Sequence, residues 1–205
     1  MSEKILKAIV FDLGNVLLPF DYSIVVRRLN AIEENLGETF LTFYKANYEL
    51  HRSFERGDLP EEKFISTMLD AMLNKIDAKI FCKFYSEIFT LNENVASLLP
   101  QLKQNCKLVL LSNTNAIHKK YGWEQYEFIK YFDKLILSHE VNAVKPEEKI
   151  YKAVAEFTGL QPEEHLFIDD ILEYVNGAKK LGWDGIEFTG YENLIIELQK
   201  RNIQF

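Results

Sequence analysis

Five short apolar runs are spread along the chain, and each is bounded by polar residues or glycine. They are Ala8–Phe11, Lys107–Leu111, Leu135–Leu137, Leu166–Ile168 and Gly185–Phe188. Their length and flanks are typical of strands that are buried on both faces of a parallel sheet. Segments with helical periodicity separate them, which favours right-handed crossover connections. The pattern therefore predicts an α/β fold with a doubly wound parallel sheet covered by helices.

The interval between the first two runs is different, because it carries helical periodicity without a convincing strand. The periodicity predicts four helices in this interval and three more later in the chain: Tyr22–Asn35, Phe40–Phe54, Glu61–Leu73 and Ala78–Phe89, then Glu93–Gln104, Glu147–Phe157 and Leu172–Leu181. We predict a helical insertion at 20–90 and an α/β core domain formed by 1–19 and 91–205. The alternative is a helical domain that has no role in the functional site.

Composition limits the kinds of partner that the protein is expected to bind and the cellular compartment in which it is expected to work. The net charge of −7 argues against nucleic acid or an anionic membrane as the main partner, but it allows a small phosphorylated ligand. Cys82 and Cys106 have no disulfide or metal-site spacing, so buried thiols in a reducing cytoplasm are expected. The apolar stretch that follows residues 1–4 is broken by Lys7 and is too short for a signal peptide or a membrane span. We expect a cytoplasmic protein, either a monomer or a weak homodimer.

Polar residues follow four of the predicted strands or lie in loops beyond them. They are Asp12, the pair Ser112-Asn113, Lys145 and the pair Asp169-Asp170. In an open parallel sheet, ligands bind at the carboxyl ends of the strands. A single aspartate at a strand end is often only a turn or a helix cap. Four such positions facing one crevice predict a functional site.

The residue types fit chemistry on a phosphoryl group. Asp12 can attack phosphorus to give an aspartyl-phosphate, and Asp170 can share Mg²⁺ with it, since Mg²⁺ prefers oxygen ligands. Ser112 can hold phosphate oxygens, and Lys145 can stabilise developing negative charge. Each residue also has an ordinary interpretation: Lys145 precedes Pro146 in an extended loop, Ser112 and Asn113 could be helix caps, and Asp169 could support the site rather than bind metal.

Four segments resemble the motifs of the haloacid dehalogenase (HAD) superfamily, in the order of that superfamily. They are Phe11–Val16, Leu111–Asn115, Val144–Pro146 and Phe167–Asp170. The resemblance covers essentially the whole chain, and the helical insertion lies where the superfamily has its cap. The sequence is most similar to the branch that includes α-D-glucose-1-phosphate phosphatases, which is related to the phosphatase domain of soluble epoxide hydrolases.

This resemblance implies a Rossmann-like core, a Mg²⁺ cofactor and phosphoric monoester hydrolase activity. By position, Asp12 matches the nucleophile and metal ligand, and Asp170 matches the second carboxylate ligand. Gly14 matches the residue whose backbone carbonyl binds Mg²⁺. Ser112, Asn113 and Lys145 match the phosphate-contacting residues, and Asp169 matches a supporting residue.

Gly14 is also a departure from the superfamily pattern. Most phosphatases of the superfamily have a second aspartate two positions after the nucleophile, where it acts as general acid and base. Glycine has no group that can protonate a leaving oxygen. Three side chains, or a water molecule, are candidates for the missing proton donor: Asp21, His51 and Glu55.

The insertion is expected to select the substrate. Its turn mixes charge with one aromatic ring, which suits contacts to sugar hydroxyls, and its candidate residues are His51, Arg52, Glu55 and Arg56. A solvated helix end is the alternative interpretation. Tyr44, Tyr48 and Trp123 could stack on a sugar, but aromatic residues at helical spacing more often lie in a core. His118, His139 and His165 show no common metal spacing.

We therefore predict a Mg²⁺-dependent phosphatase for a small phosphorylated metabolite such as a hexose 1-phosphate. Two other functions remain open at this point. A 2-haloacid dehalogenase would also use an aspartate nucleophile, but without metal. A non-catalytic sugar-phosphate-binding regulator would be consistent with Gly14.

Overall fold

A computed structural model describes residues 6–205 of the chain, and its centre is one sheet of five parallel strands. The strands are β1 (Ala8–Phe11), β2 (Lys107–Ser112), β3 (Lys134–Leu137), β4 (His165–Asp169) and β5 (Asp184–Glu187). Their order across the sheet is β3-β2-β1-β4-β5. Helices lie around the sheet, so the predicted Rossmann-like, doubly wound α/β fold is confirmed.

The register of the sheet brings the ends of the three central strands to one edge. Phe11 at the end of β1 pairs with Leu110 of β2 and with Ile168 of β4. Polar residues lie at or just after the ends of these strands, at the carboxyl edge of the sheet: Asp12, Ser112 and Asp169. The sheet therefore supports a site at the position that its topology favours.

The described part of the chain contains twelve α-helices. They are α1 (Ser23–Asn30), α2 (Leu36–Ala46), α3 (Tyr48–Arg56), α4 (Glu61–Ala71), α5 (Ala78–Ser86), α6 (Glu93–Ala96), α7 (Leu99–Asn105), α8 (Ala116–His118), α9 (Ser138–Val141), α10 (Glu148–Thr158), α11 (Leu172–Lys180) and α12 (Tyr191–Lys200). Helix α8 continues as a π-helix over Lys119–Trp123, and short 3₁₀ helices occupy Glu127–Tyr131 and Pro162–Glu164.

The insertion contains five helices rather than the four that were predicted. The predicted helix over Phe40–Phe54 is interrupted at Asn47, whose side-chain Nδ2 donates to the carbonyl of Phe43 at 2.9 Å. Such a local bond competes with helix continuation. Asn35 has a positive φ of 64°, which ends any helix that would run through it.

The predicted helix over Glu93–Gln104 is likewise divided, into α6 and α7. Pro100 lies in the first turn of α7, where its missing N–H is tolerated. A proline at this position could not lie in the interior of one long helix without breaking a backbone hydrogen bond. The division is therefore caused by Pro100, whose effect on the helix cannot be read from the periodicity of apolar residues.

The insertion has a hydrophobic cluster that is separate from the two clusters beside the sheet. Its members include Val25, Phe40, Phe64 and Tyr85, and Ile117 of the core packs into it. The segments that enter and leave the insertion pair in antiparallel fashion, since Asp21 N donates to Ile88 O at 3.0 Å and Thr90 N to Pro19 O at 2.8 Å. These features support our proposed domain boundaries at 19/20 and 90/91.

Three smaller sequence predictions concern compartment and cysteine state. Within residues 6–205, no helix is both long and apolar enough to cross a membrane. Residues 1–5 lie outside the described residues. They include the start of the predicted core segment 1–19 and the start of the N-terminal stretch that we consider too short for a signal peptide. Cys82 is a buried free thiol as expected, whereas Cys106 is only partly buried, against that expectation, because it lies in the short connection between α7 and β2.

Candidate active site

The carboxyl edge of the sheet and the insertion together enclose a pocket of about 330 Å³. From the core, Asp12, Gly14, Ser112, Asn113, Lys145 and Asp170 line it, and from the insertion His51, Arg52 and Glu55 do so. These nine residues, predicted from the sequence to act on or select the substrate, thus meet in one cavity. A cavity of this size suits a small metabolite.

Lys145 lies at the centre of the buried part of the site. Its Nζ is 2.6 Å from Asp12 Oδ1 and 2.6 Å from Asp169 Oδ2, and the side chain is 1% exposed. The ring of Tyr174 lies 5.2 Å from the same Nζ, and that of Phe167 lies 5.5 Å away. Burial alone would lower the pKa of Lys145, but the two carboxylates outweigh it and raise the pKa. Lys145 is therefore a permanent positive charge.

The pKa of Asp12 is raised to about 7 in the metal-free protein. Burial is the largest cause, and the negative charges of Asp169 and Asp170 add to it, while Lys145 opposes them. One lysine does not balance three carboxylates in a place with little water. A cation beside Asp12 would supply the missing positive charge and favour the ionised, nucleophilic form.

The acidic cluster has the chemistry of a divalent-cation site. One carboxylate oxygen from each of Asp12, Asp169 and Asp170 lies within 4.8 Å of the other two. Asp169 already uses both oxygens, since Oδ2 binds Lys145 and Oδ1 accepts from Ile171 N at 2.8 Å. Among described residues, hydrogen bonds engage Oδ1 of Asp12 and Oδ2 of Asp170, so one oxygen of each remains for a cation. This fits two direct ligands and a supporting Asp169.

Asp170 is oriented by Asn15, whose Nδ2 donates to Asp170 Oδ2 at 3.0 Å. Asn15 has a φ of 54°, a conformation that asparagine tolerates better than most residues. The pKa of Asp170 is raised, chiefly by burial, and the bond from Asn15 partly offsets this. Asn15, in the loop after β1, thus orients a candidate metal ligand in the loop after the adjacent strand β4.

The carbonyl of Gly14, which the resemblance identifies as a metal ligand, accepts from Val16 N at 2.7 Å and has a second lone pair. The space beside Gly14 is occupied by the ring of Phe20. A Cβ added at Gly14 would lie 3.2 Å from Phe20 Cε1 and 3.9 Å from Asp12 Oδ2. A larger residue at this position would have to displace that ring.

The loop after β2 is held in place by bonds to neighbouring loops. Asn113 Oδ1 accepts from Lys145 N at 2.7 Å, and Asn113 Nδ2 donates to Lys145 O at 3.2 Å. Both functional groups of the Asn113 amide are thus engaged with the backbone of Lys145. The Asn113 side chain is therefore occupied. In this segment, the backbone N–H of Asn113 and the Ser112 hydroxyl are the groups that would contact a phosphate. Within residues 6–205, Ser112 Oγ makes only a long hydrogen bond, to Asn113 O at 3.4 Å.

The predicted substrate-selecting residues divide into two groups. His51, Arg52 and Glu55 line the pocket. Arg56 does not line it, because its guanidinium turns to the outside and pairs with Glu147 of the core and with Asp58. Arg56 therefore joins the insertion to the core instead of facing a ligand.

The aromatic candidates also divide. Tyr44 and Tyr48 line the pocket beside His51, with ring centroids 5.0 and 5.7 Å from the imidazole. Trp123 is fully buried in the core cluster, so it cannot stack on a ligand. Asp21 does not line the pocket either, because its carboxylate accepts from the N–H and the hydroxyl of Ser23.

The three histidines that lack metal spacing lie in separate places. His118 lines the pocket, stacks on Tyr85 and has a pKa lowered to about 3 by burial. His139 bonds to the Thr114 carbonyl at 3.0 Å. His165, the first residue of β4, stacks on Trp183. None of them belongs to the acidic cluster.

Several pocket residues were not singled out from the sequence. They are Asn15, Phe20, Tyr22, Thr114 and Tyr174, and Ser138 lies just behind the pocket. Asn15 carried a signal, since an asparagine directly after a glycine at a strand end often adopts positive φ. Tyr174 also carried one, as it lies in the first turn of the helix that follows Asp170. Phe20 and Tyr22 carried none, because their place depends on how the insertion packs.

Comparison with known proteins agrees with this geometry. The family model for haloacid dehalogenase-like hydrolases matches residues 6–182. The D-ribitol-5-phosphate phosphatase of Bacteroides thetaiotaomicron is 24% identical over 189 residues, which are 87% of this chain and 90% of that protein. A phosphorylated carbohydrates phosphatase of Thermotoga maritima is 25% identical over 192 residues, 88% of this chain and 84% of that protein.

A similar fold is also found among solved structures. A HAD-family enzyme from Bacteroides thetaiotaomicron, in complex with magnesium and inorganic phosphate, superimposes with a TM-score of 0.74 at 26% identity. The match covers 88% of this chain and 93% of that one. The similarity thus extends over the core and the insertion together.

Proposed function

The chain belongs to the haloacid dehalogenase-like hydrolase family, and on this basis we propose that it is a Mg²⁺-dependent phosphatase that acts on a small phosphorylated carbohydrate. The observation that carries the proposal is Lys145 held between Asp12 and Asp169, with Asp170 beside them. This arrangement suits a nucleophilic carboxylate, a cation and a phosphoryl group in one place.

Asp12 is the proposed nucleophile. Its carboxylate attacks phosphorus to form an aspartyl-phosphate, which water then hydrolyses. Lys145 stabilises the charge that develops on the phosphoryl oxygens, and Asp169 fixes its ammonium group for that role. Ser112 and the backbone N–H of Asn113 hold the same oxygens from the loop after β2.

Asp12, Asp170 and the carbonyl of Gly14 are the residues that would hold Mg²⁺. The bound ion supplies positive charge that offsets repulsion between the carboxylates and the incoming phosphate. The HAD-family structure with magnesium and phosphate supports this assignment by similarity of fold.

The insertion supports a carbohydrate as the organic part of the substrate. Its wall of the pocket combines the rings of Tyr22, Tyr44 and Tyr48 with the polar groups of His51 and Glu55. Aromatic faces pack against the C–H faces of a sugar or polyol, and the polar groups bind its hydroxyls. Both phosphatases named above act on phosphorylated carbohydrates, as their names state.

A substrate panel tests the proposal. The purified protein is assayed on hexose 1-phosphates, hexose 6-phosphates, pentose and pentitol phosphates and a 2-haloacid, each with Mg²⁺ and with EDTA. We expect phosphate release that requires Mg²⁺ and is fastest for a sugar or polyol phosphate. Metal-independent halide release would identify a dehalogenase instead. Binding of sugar phosphates without turnover would identify a regulator.

Replacement of Asn15 by glycine tests the metal site. Asn15→Gly keeps the positive φ and removes the donor to Asp170. We expect about 10-fold weaker Mg²⁺ affinity, because a metal ligand loses the partner that orients it. The affinity is measured by calorimetry and by the rise of Tm with Mg²⁺ concentration.

Asn74→Gly is a matched control for this replacement. Asn74 also has a φ of 54°, and its Nδ2 donates to Asp70 Oδ1 at 3.1 Å on the exposed surface of the insertion. It should leave Mg²⁺ affinity unchanged. If Asn15→Gly and the wild type bound Mg²⁺ with equal affinity, either Asp170 would not be a metal ligand or Asn15 would not orient it.

A further inference from the structure

Departure of an alkoxide leaving group from phosphorus needs a proton, and Gly14 cannot supply one. Phe20 fills the space beside Gly14, so this side of the pocket is apolar. A donor must therefore come from another wall. General acids of this kind typically accelerate the step by about 10²- to 10⁴-fold.

The ionisable groups of the core wall are already committed. Asp12 and Asp170 face the proposed cation, and the ammonium of Lys145 is tied to two carboxylates, which raise its pKa. Asp21, considered from the sequence, is exposed and bonded to Ser23, and these bonds lower its pKa. A carboxyl group with a lowered pKa is a poorer proton donor at neutral pH.

Most of the other ionisable groups of the pocket are unsuitable for other reasons. Phenols are weak acids with an ordinary pKa of about 10, and burial raises the pKa of Tyr22, Tyr44 and Tyr48 further. His118 stays neutral, because burial lowers its pKa to about 3. The Arg52 guanidinium does not release its proton in proteins.

His51 and Glu55 remain, and they form a connected pair. His51 Nε2 lies 3.1 Å from Glu55 Oε1, and the Tyr85 hydroxyl lies 3.0 Å from His51 Nδ1. When Tyr85 donates to Nδ1, Nε2 carries the imidazole proton and donates to Oε1. Among the described residues, no hydrogen bond engages Oε2 of Glu55; its ion-pair partner, the Arg52 guanidinium, lies 3.9 Å away, outside hydrogen-bond range.

The backbone of Glu55 is fixed to the phosphate-binding side of the site. Ser138 Oγ lies 2.6 Å from the Glu55 carbonyl oxygen, and it accepts from Thr114 N at 2.9 Å. Ser138 is fully buried, and Thr114 lies in the loop that follows Ser112. Although Glu55 belongs to the insertion, its position is therefore tied to the loop proposed to hold the phosphoryl group.

We propose that Glu55, supported by His51, is the proton donor to the leaving group, a role that rests on the proposed phosphatase function. As the bond from Asp12 to phosphorus forms, the bond from phosphorus to the leaving oxygen breaks. That oxygen keeps the electron pair and takes the proton from Glu55 Oε2. In the second step, the Glu55 carboxylate takes a proton from the attacking water, whose oxygen bonds to phosphorus and releases Asp12.

Leaving-group dependence tests this role. The variant Glu55→Gln is compared with the wild type on ribitol 5-phosphate, or whichever alkyl phosphate of the panel the wild type turns over fastest, and on p-nitrophenyl phosphate. Because p-nitrophenolate leaves without protonation, we expect kcat/KM, which reports formation of the aspartyl-phosphate, to fall less than about 3-fold for p-nitrophenyl phosphate and about 10²- to 10⁴-fold for the alkyl phosphate. Glu49→Gln, an exposed position on the same helix, should change neither.

The outcomes separate the two proposals. Equal losses of kcat/KM on both substrates, an effect on KM alone or an unchanged alkyl phosphatase activity would each overturn the role of Glu55 as proton donor while leaving the phosphatase intact. A wild-type protein inactive on every phosphate monoester would overturn the proposed function and this role with it. If Glu55→Gln does not fold, as judged by its Tm, His51→Gln should show the same substrate-dependent pattern with a smaller loss.

Discussion

Asp12→Asn should abolish phosphatase activity and leave the fold intact. Replacing the carboxylate by an amide removes the nucleophile, so we expect kcat to fall by more than about 10⁴-fold on every substrate, including p-nitrophenyl phosphate. A good leaving group offers no rescue here, because the step that is lost is the attack on phosphorus. The measurement is steady-state kcat with saturating Mg²⁺.

The stability of the same variant gives an independent check. Burial and neighbouring carboxylates raise the pKa of Asp12 from its ordinary 3.8 to about 7 without metal. A group with a raised folded-state pKa favours folding below its unfolded pKa, and that contribution is lost as pH rises toward 7. The neutral amide introduced by the substitution avoids this loss, so metal-free Asp12→Asn should have a Tm at or above that of the wild type at pH 7 to 8.

Asn113→Asp is a useful comparison for the Asp12 variant. It also changes a side chain of the pocket by one charge, but it affects a residue whose amide holds the backbone of Lys145. We expect it to lower Tm, because the donor to the Lys145 carbonyl is lost. A result in which Asp12→Asn kept more than a few per cent of wild-type kcat would contradict the assignment of the nucleophile.

The sheet could be predicted from the sequence almost to the residue. Ala8–Phe11 has the same bounds in the structure, and the other four strands differ by one residue at one or both ends. Parallel strands buried on both faces leave uninterrupted apolar runs, and these runs end where the backbone reaches the polar edge. The same rule brought Asp12, Ser112 and Asp170 to one site.

The insertion was harder to predict, for two physical reasons. Helical periodicity does not register a break caused by one side chain, as at Asn47, where a bond to Phe43 O ends a helix. The direction in which a helix presents its polar face also depends on contacts distant in sequence. Arg56 and Glu55 are adjacent, yet Glu55 lines the pocket and Arg56 pairs with Glu147.

The proton donor could not be chosen from the sequence for the same reason, because its position depends on contacts distant in sequence. Asp21, His51 and Glu55 were equal candidates in the sequence, because each is an ionisable residue of the insertion or its entrance. Ser23 engages Asp21 locally, whereas His51 and Glu55 meet on successive turns of α3 inside the pocket. Spacing of four residues made that pair possible, but only the packing of α3 on the core places it there.

Lys145→Met is expected to have the largest effect on stability. Two buried carboxylates, Asp12 and Asp169, lose their common partner, and breaking a buried ion pair from one side costs about 3–5 kcal/mol. Activity should fall as well, because the phosphoryl oxygens lose a fixed positive charge. The free energy of unfolding is measured by denaturant titration without metal. Lys152→Met, at an exposed lysine of α10, is the control and should cost less than about 1 kcal/mol.

The pH dependence of this loss identifies its cause. Lys145 lowers the pKa of Asp12, so without it that pKa rises further in the folded state, and Asp12 favours folding at low pH and opposes it as pH increases. The stability deficit of Lys145→Met should therefore be greatest near pH 8 and shrink toward pH 5. Mg²⁺ should narrow it as well, because a cation on Asp12 and Asp170 replaces part of the lost charge. A deficit independent of pH and Mg²⁺ would mean that Lys145 acts through packing against Phe167 and Tyr174, and not through its charge.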